Sequence, residues 1–524
     1  MVNNLQSRKK GDIILLLRKS LDVILLFAIV GEVVFFPSLE NLAGCIMTAV
    51  VWFIYRVFFL KRNVIINHPF ASLAFLSVFL ARFIPLPATL VEGKAITYGF
   101  ENPYETFIFE TLTFIVISLA FYTVISRATL KNNIIQQNLY KLGFFKTDVP
   151  TLWILGLIGS IARIQNLVNS NEVEFGDVGS KFLDGFLYLQ YAPIVMLFPS
   201  LSGIKLDKSK NRLVIGYAAL MFVLSLAANS RQQMLYPIFT IVLLFLIYLL
   251  KENISIFKYT SPFRIILYSF LIIFGLNFLS DISLAMLVNR NIRGEISRSE
   301  LFDKTVETLQ NDDLMNVMRN TSVEGRNELT AYNYGWDESY LNNFMLNRYG
   351  NMRVVDRTIY YGNVIGHGNE KMQESFFNKM IAVYPLPLLS ILGIEVNKDD
   401  LTYSPGDMLY YAVTGSSIAL GGFRVTSLIG DGLATFGFWC FPIMYVLFFC
   451  AFKLMDSFIY YTKNTVIFST LGLINVFGFL GMFRNSIGFN TPTSYILRGF
   501  WQQCFMFWII VFLVQKLTPL FRKK

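Results

Sequence analysis

Arginine inside apolar sequence is the chemically richest feature of this chain. Arg82 (FLARFIPL) and Arg163 (GSIARIQNL) stand within apolar runs, Arg231 opens a run in ANSRQQML, and Arg484 and Arg498 bracket the turn before the last run. A charged side chain at such a place costs about 2.5–3.5 kcal/mol on insertion scales, so it turns to the protein interior and holds a partner. Guanidinium is planar, permanently charged and bidentate toward phosphate, so five at similar depth point to an anion site. The competing reading is a local ion pair, with Glu110, Asp184 or Asp281 as counter-charge, or a side chain that snorkels to the interface.

A second basic group, Arg348, Arg353, Arg357 and Arg424, lies in the polar stretch 288–426. In RYGNMRVVDRTIYYG a helix puts Arg353 and Arg357 on one face at i, i+4 with Asp356 beside them, which suits a bridging anion or a solvated face. Three residues could take a proton: His367 in VIGHGN, Asp431 in IGDGLATFG and Asp281. Imidazole titrates nearest neutrality, but both carboxylates stay open as candidates. No P-loop, GxSxG or HExxH motif occurs, and the doublets Asp312-Asp313 and Asp399-Asp400 lack metal-site spacing. The four cysteines lie in apolar runs without a CxxC pair, which reads as buried free thiols. No metal and no cofactor is expected.

These residues need elements to hold them, and composition says which. Apolar residues make up 54% and charged residues 15%, with mean hydropathy +0.51. Soluble domains carry about 25% charged residues, so this composition predicts a chain solvated by lipid. Spans of ~20 apolar residues are expected at 20–36, 42–60, 69–90, 106–126, 150–167, 183–201, 213–229, 232–250, 264–287, 427–452, 464–483 and 498–516. The fold class is an all-α polytopic membrane protein with about 12 transmembrane helices. Its expected parts are an N-terminal bundle (1–287), a large, mainly helical outer loop (288–426) and C-terminal helices (427–524). Phe376 to Leu392, broken by Pro385 and Pro387, is expected to lie along the interface or re-enter. The basic stretch before Leu21 resembles a signal peptide without its cleavage site, so it reads as an uncleaved first helix.

The net charge of +10 is concentrated between spans, which sets orientation and excludes nucleic acid as partner. Both termini inside places roughly 25 basic residues in the cytoplasm against about five in short outer loops. The segment 288–426 then falls outside.

This layout resembles the Wzy family, the bacterial polymerases of O-antigen and capsule repeat units, which are akin to O-antigen ligases. The similarity rests on ANSRQQMLYPIFTIVLL, on SLIGDGLATFGFWCFPIMYVLFF after the large loop, and on GMFRNSIGFNTPTSYILRG before the last span. Arg357 to Gly368 also has the Arg-x10-Gly spacing of some members, although one dominant loop stands where some members have two. The resemblance implies a metal-independent glycosyltransferase of the bacterial cytoplasmic membrane, active at its outer face. Its substrate would be an undecaprenyl-diphosphate-linked oligosaccharide, its setting the lipid bilayer, and its neighbours a chain-length regulator and a flippase of lipopolysaccharide or capsule synthesis. Arg231, Arg484 and loop arginines would grip the diphosphates, and His367, Asp431 or Asp281 would deprotonate the acceptor. Two alternatives stand: another outer-face transferase of the ligase kind, or a lipid-linked oligosaccharide flippase or transporter. The size of the loop disfavours the last, since flippases connect their helices by short loops.

Overall fold

The computed structural model describes residues 12–126, 131–168, 185–204, 211–227, 231–289, 298–320, 336, 340–416, 420–422, 424–463, 465–484 and 487–522. The side chains of Arg231 and Arg348, the basic residues Arg8 to Lys10, and Asp184 lie outside the described residues.

Among the described residues the fold is helical, as an all-α membrane protein requires, apart from one hairpin, Ile459–Tyr461 with Val466–Phe468. Among the described residues five helices are long and apolar enough to cross a membrane: Leu39–Phe59, Pro103–Ser126, Leu235–Glu252, Leu428–Asp456 and Asn490–Lys516. A sixth follows if Pro69–Phe83 and Pro85–Val91, bent by 44°, are one span. Pro85 and Pro87 explain the bend, since proline ends the hydrogen-bond ladder before it.

The other expected segments take different forms. Ile13–Phe35 is a 23-residue helix whose charges are engaged: Asp22 pairs with Arg56 at 2.9 Å, and Arg18 donates to the Leu60 carbonyl at 2.5 Å. Within the expected span 183–201, Leu187–Leu197 forms a 3-10 helix with Pro193 inside. It lies so close to the Val149–Val168 helix that any side chain at Gly159 would stand 2.0 Å from the Gln190 nitrogen. Residues 464–483 divide into the second strand and two short helices, Thr470–Ile474 and Val476–Gly481, the first capped by Ser469. Asn211–Ala227 and Pro262–Val288 are continuous helices.

Aromatic rings hold the bundle centre. Phe75 meets Phe59 at 4.5 Å, Phe121 at 5.0 Å and Phe114 at 5.5 Å, and Phe121 meets Phe452 at 5.0 Å, geometries that add to burial. The contacts give directions too. Arg82 reaches Glu110 while Phe75 reaches Phe121, so Pro69–Phe83 and Pro103–Ser126 are antiparallel. Phe109 meets Phe441 and Phe121 meets Phe452, so Pro103–Ser126 and Cys440–Asp456 run parallel. One end is closed by His68 Nδ1 on Asp456 Oδ2 at 2.7 Å, and Gln136 donates to the Asp456 carbonyl at 3.0 Å. Arg62 donates there to the Leu250 carbonyl at 2.8 Å.

At the other end the described residues of 288–426 fold onto the bundle. Its described helices include Arg298–Gln310, Phe344–Gly350, Arg353–Ile365, Glu370–Ala382 and Pro405–Thr414. Arg353–Ile365 packs along Leu428–Phe436, and Thr358 Oγ1 lies 2.6 Å from Ser427 Oγ. Tyr340, Met352, Val355 and Ile359 join the same core as the membrane helices. Asp356 accepts from the Glu101 and Asn102 nitrogens (2.6 and 2.9 Å) and from Thr106 Oγ1 (2.9 Å), closing the start of Pro103–Ser126.

Candidate functional site

At this end of the bundle Arg82 and Arg484 share one cavity, with Glu110, Val78, Phe448 and Ile487 also in its wall. Its volume is about 10 Å³, enough for one water. Arg82 is buried, with Nε 2.8 Å from Glu110 Oε2 and Nη1 donating to the Val78 carbonyl at 2.8 Å. Arg484 is half-buried. Of the five arginines expected to converge, Arg82 and Arg484 line this one cavity, and Glu110, one of the local counter-charges considered, pairs with Arg82.

Asp431 anchors the neighbouring loop. Ser427 caps the helix start by accepting from the Gly430 nitrogen at 2.9 Å, which sets Asp431 in the first turn. Its Oδ2 accepts from the Phe489 nitrogen at 2.7 Å, and Gly488 is required because a Cβ there would stand 2.6 Å from that oxygen. The loop that carries Arg484 is therefore folded down on Asp431, itself 3% exposed.

A second cluster lies under the Arg353–Ile365 helix. Trp336, Tyr361 and Tyr410 meet at ring distances of 5.4, 5.7 and 6.2 Å. Arg357 stands 5.7 Å over Tyr361 and Arg424 4.7 Å over Tyr410, within cation–π range. Arg424 Nη1 donates to the buried Asp407 at 3.1 Å, so this guanidinium has a carboxylate of its own. Buried Trp336 Nε1 and Arg357 Nε make no hydrogen bond. Helicity at Arg353 and Arg357 agrees with their spacing, but their contacts differ: Arg357 faces Tyr361 while Arg353 turns to Gly99. Arg353 donates to the Gly99 carbonyl at 3.1 Å and ties the helix to the loop before Pro103.

The remaining candidates are dispersed. Arg163 is buried against Gln190 (3.3 Å) and Gln233. Arg498 is exposed and donates to the Val383 carbonyl at 2.9 Å. His367 is exposed, its Nε2 2.8 Å from Asn363 Oδ1, and Asn363 donates in turn to Glu105 at 2.7 Å. Asp281 is half-buried in Pro262–Val288, a helix that contributes nothing to the cavity wall.

Lys379 is the residue that sequence reasoning missed. It projects from Glu370–Ala382, donates to the Tyr403 carbonyl, and stands 4.0 Å over the Tyr403 ring. Burial pushes its ammonium down to about 8, against the pull of Asp431 and Asp407. A lone lysine within FFNKMIAVYPL was the available signal, because a charge amid apolar residues implies a partner.

The pH consequence has a definite sign. Below pH 8 folded and unfolded chains both hold the proton and the burial cost is complete. Between 8 and the ordinary 10.5 the unfolded chain binds more proton, so this group makes stability rise with pH. Thermal unfolding of wild type and Lys379→Met across that window should show wild type gaining on the variant as pH rises. Parallel curves would mean that Lys379 is well solvated.

No group of three or more His, Cys, Asp or Glu side chains among the described residues could hold a metal ion. Comparison with protein-family models, curated proteins and solved structures finds nothing that matches this chain.

Proposed function

We propose that this chain polymerises oligosaccharide repeat units carried on undecaprenyl diphosphate at the outer face of the bacterial cytoplasmic membrane. The observation that carries the reading is the junction of Arg82 and Arg484 at one cavity with the Arg484 loop bonded to Asp431. In this reading about twelve spans return both termini to the cytoplasm and segment 288–426 lies outside, facing the lipid-linked substrates. The acceptor hydroxyl attacks the anomeric carbon of the growing chain and Asp431 takes its proton. The new glycosidic C–O bond forms as the bond to the diphosphate oxygen breaks, and undecaprenyl diphosphate leaves with the electron pair. Half-buried Arg484 stabilises the charge gathering on that leaving group, the kind of electrostatic contribution that dominates where water is scarce, while Arg82 stays paired with Glu110. The aromatic cluster of Trp336, Tyr361 and Tyr410 offers apolar faces for a sugar ring, with Arg357 beside it.

Purified protein in liposomes, given lipid-linked repeat units alone, should produce a ladder of lipid-linked chains and release undecaprenyl diphosphate. Transfer only when a second acceptor lipid is added would reassign the chain to the ligase kind. Transbilayer movement without new bonds would replace the reading by a flippase.

A further inference from the structure

We propose that residues 377–394 form an apolar foot seated in the lipid leaflet beside the N-terminal end of the last membrane helix. The inference is independent of the proposed chemistry.

Exposure changes character along one helix. On Glu370–Ala382 the outward residues are first Glu370, Lys371 and Glu374, then Phe377, Asn378 and Ile381. The apolar surface continues through Leu386, Ile391 (82% exposed), Leu392 (63%) and Ile394, and ends at exposed Glu395. A surface that passes from charge to aliphatic and back to charge within one excursion matches a segment dipping into an apolar phase and returning.

The position of the foot identifies that phase as lipid. Arg498 of the Asn490–Lys516 span donates to the Val383 carbonyl at 2.9 Å, fixing the start of the excursion to that span. Trp501 and Phe505, which follow Arg498 in the same span, are exposed as well. Arg498, Trp501, Tyr384 and Lys398 cluster around the junction, with Lys398 Nζ donating to the Tyr384 carbonyl at 2.6 Å. Such residues anchor proteins at the headgroup level. Backbone chemistry agrees: Pro385 and Pro387 bring no N–H where the helix is interrupted, which removes two donors that lipid would leave unsatisfied. Next to the foot, a hollow of about 510 Å³ lined by Leu386, Ile394, Ser390 and Asn397 mixes apolar and polar walls, as the boundary between chains and headgroups requires.

The test uses full-length protein in liposomes of phosphatidylethanolamine and phosphatidylglycerol, spin-labelled at Ile391→Cys or at Glu374→Cys, with unlabelled-site wild type as background. The Ile391 label is expected to be several-fold more accessible to oxygen, which partitions into lipid, than to a water-soluble nickel chelate. The Glu374 label should show the reverse. Equal chelate access at both sites would overturn the proposal, as would an Ile391 label shielded from both reagents, because that outcome means protein covers the surface.

Discussion

Cells carrying Arg484→Ala are expected to lose long glycan chains and to accumulate single lipid-linked repeat units, with transfer slowed on the order of 10²–10³-fold. The magnitude follows from removing one preorganised donor from the place where leaving-group charge develops. Arg484→Lys keeps the charge but loses the planar fork, so it should fall between wild type and alanine. Arg484 is the better probe because it is half-buried. Arg82→Ala would strand Glu110, which is 2% exposed, and so mix folding loss with lost chemistry. The measurements are the length distribution of lipid-linked glycans and the amount of folded protein. Normal chain lengths at wild-type protein levels would sink the assignment of this arginine to the diphosphate.

The largest loss of stability is expected from Asp407→Ala. Asp407 is fully buried and accepts from the Ser404 nitrogen (3.0 Å), the Arg424 nitrogen (3.0 Å) and Arg424 Nη1 (3.1 Å). Alanine leaves the buried Arg424 without this carboxylate, and breaking a buried pair from one side costs about 3–5 kcal/mol. Replacing both residues by leucine should cost clearly less than the sum of the single changes, because neither charge is then left behind. Thermal unfolding in detergent gives the comparison. Additive losses would show that the two side chains act separately, leaving the turn hydrogen bonds as the whole contribution of Asp407.

The sequence made the lipid-facing helices legible wherever a long apolar run has no internal breaker, as in Pro103–Ser126. It was less informative where tertiary packing chose the backbone. Residues 187–197 have the composition of a span but wind as a 3-10 helix, with Gly159 admitting their backbone against the neighbouring helix. Residues 466–481 read as one run and form a strand and two short helices, divided at Asn475. At the site, side-chain type signalled buried charge but not its partners. Arg353 and Arg357 are one turn apart, yet one binds a backbone carbonyl and the other faces a tyrosine. That division depends on residues 99 and 361, which no spacing rule connects. Lys379 was hidden for the same reason: its neighbours Tyr403, Asp407 and Asp431 come from other parts of the chain.

The carboxylate of Asp356 at the start of Pro103–Ser126 has one more implication. The leading end of a helix carries roughly half a positive charge and is where many proteins cradle phosphate with main-chain amides. Here Asp356 of the inserted segment sets an internal anion at that leading end, bound to the Glu101 and Asn102 amides just ahead of the helix and to Thr106 Oγ1 in its first turn. In the proposed reaction a pyrophosphoryl group beside this helix would meet an anion already in place, so its capture would rest on arginine side chains and respond to their exchange for lysine or a neutral residue.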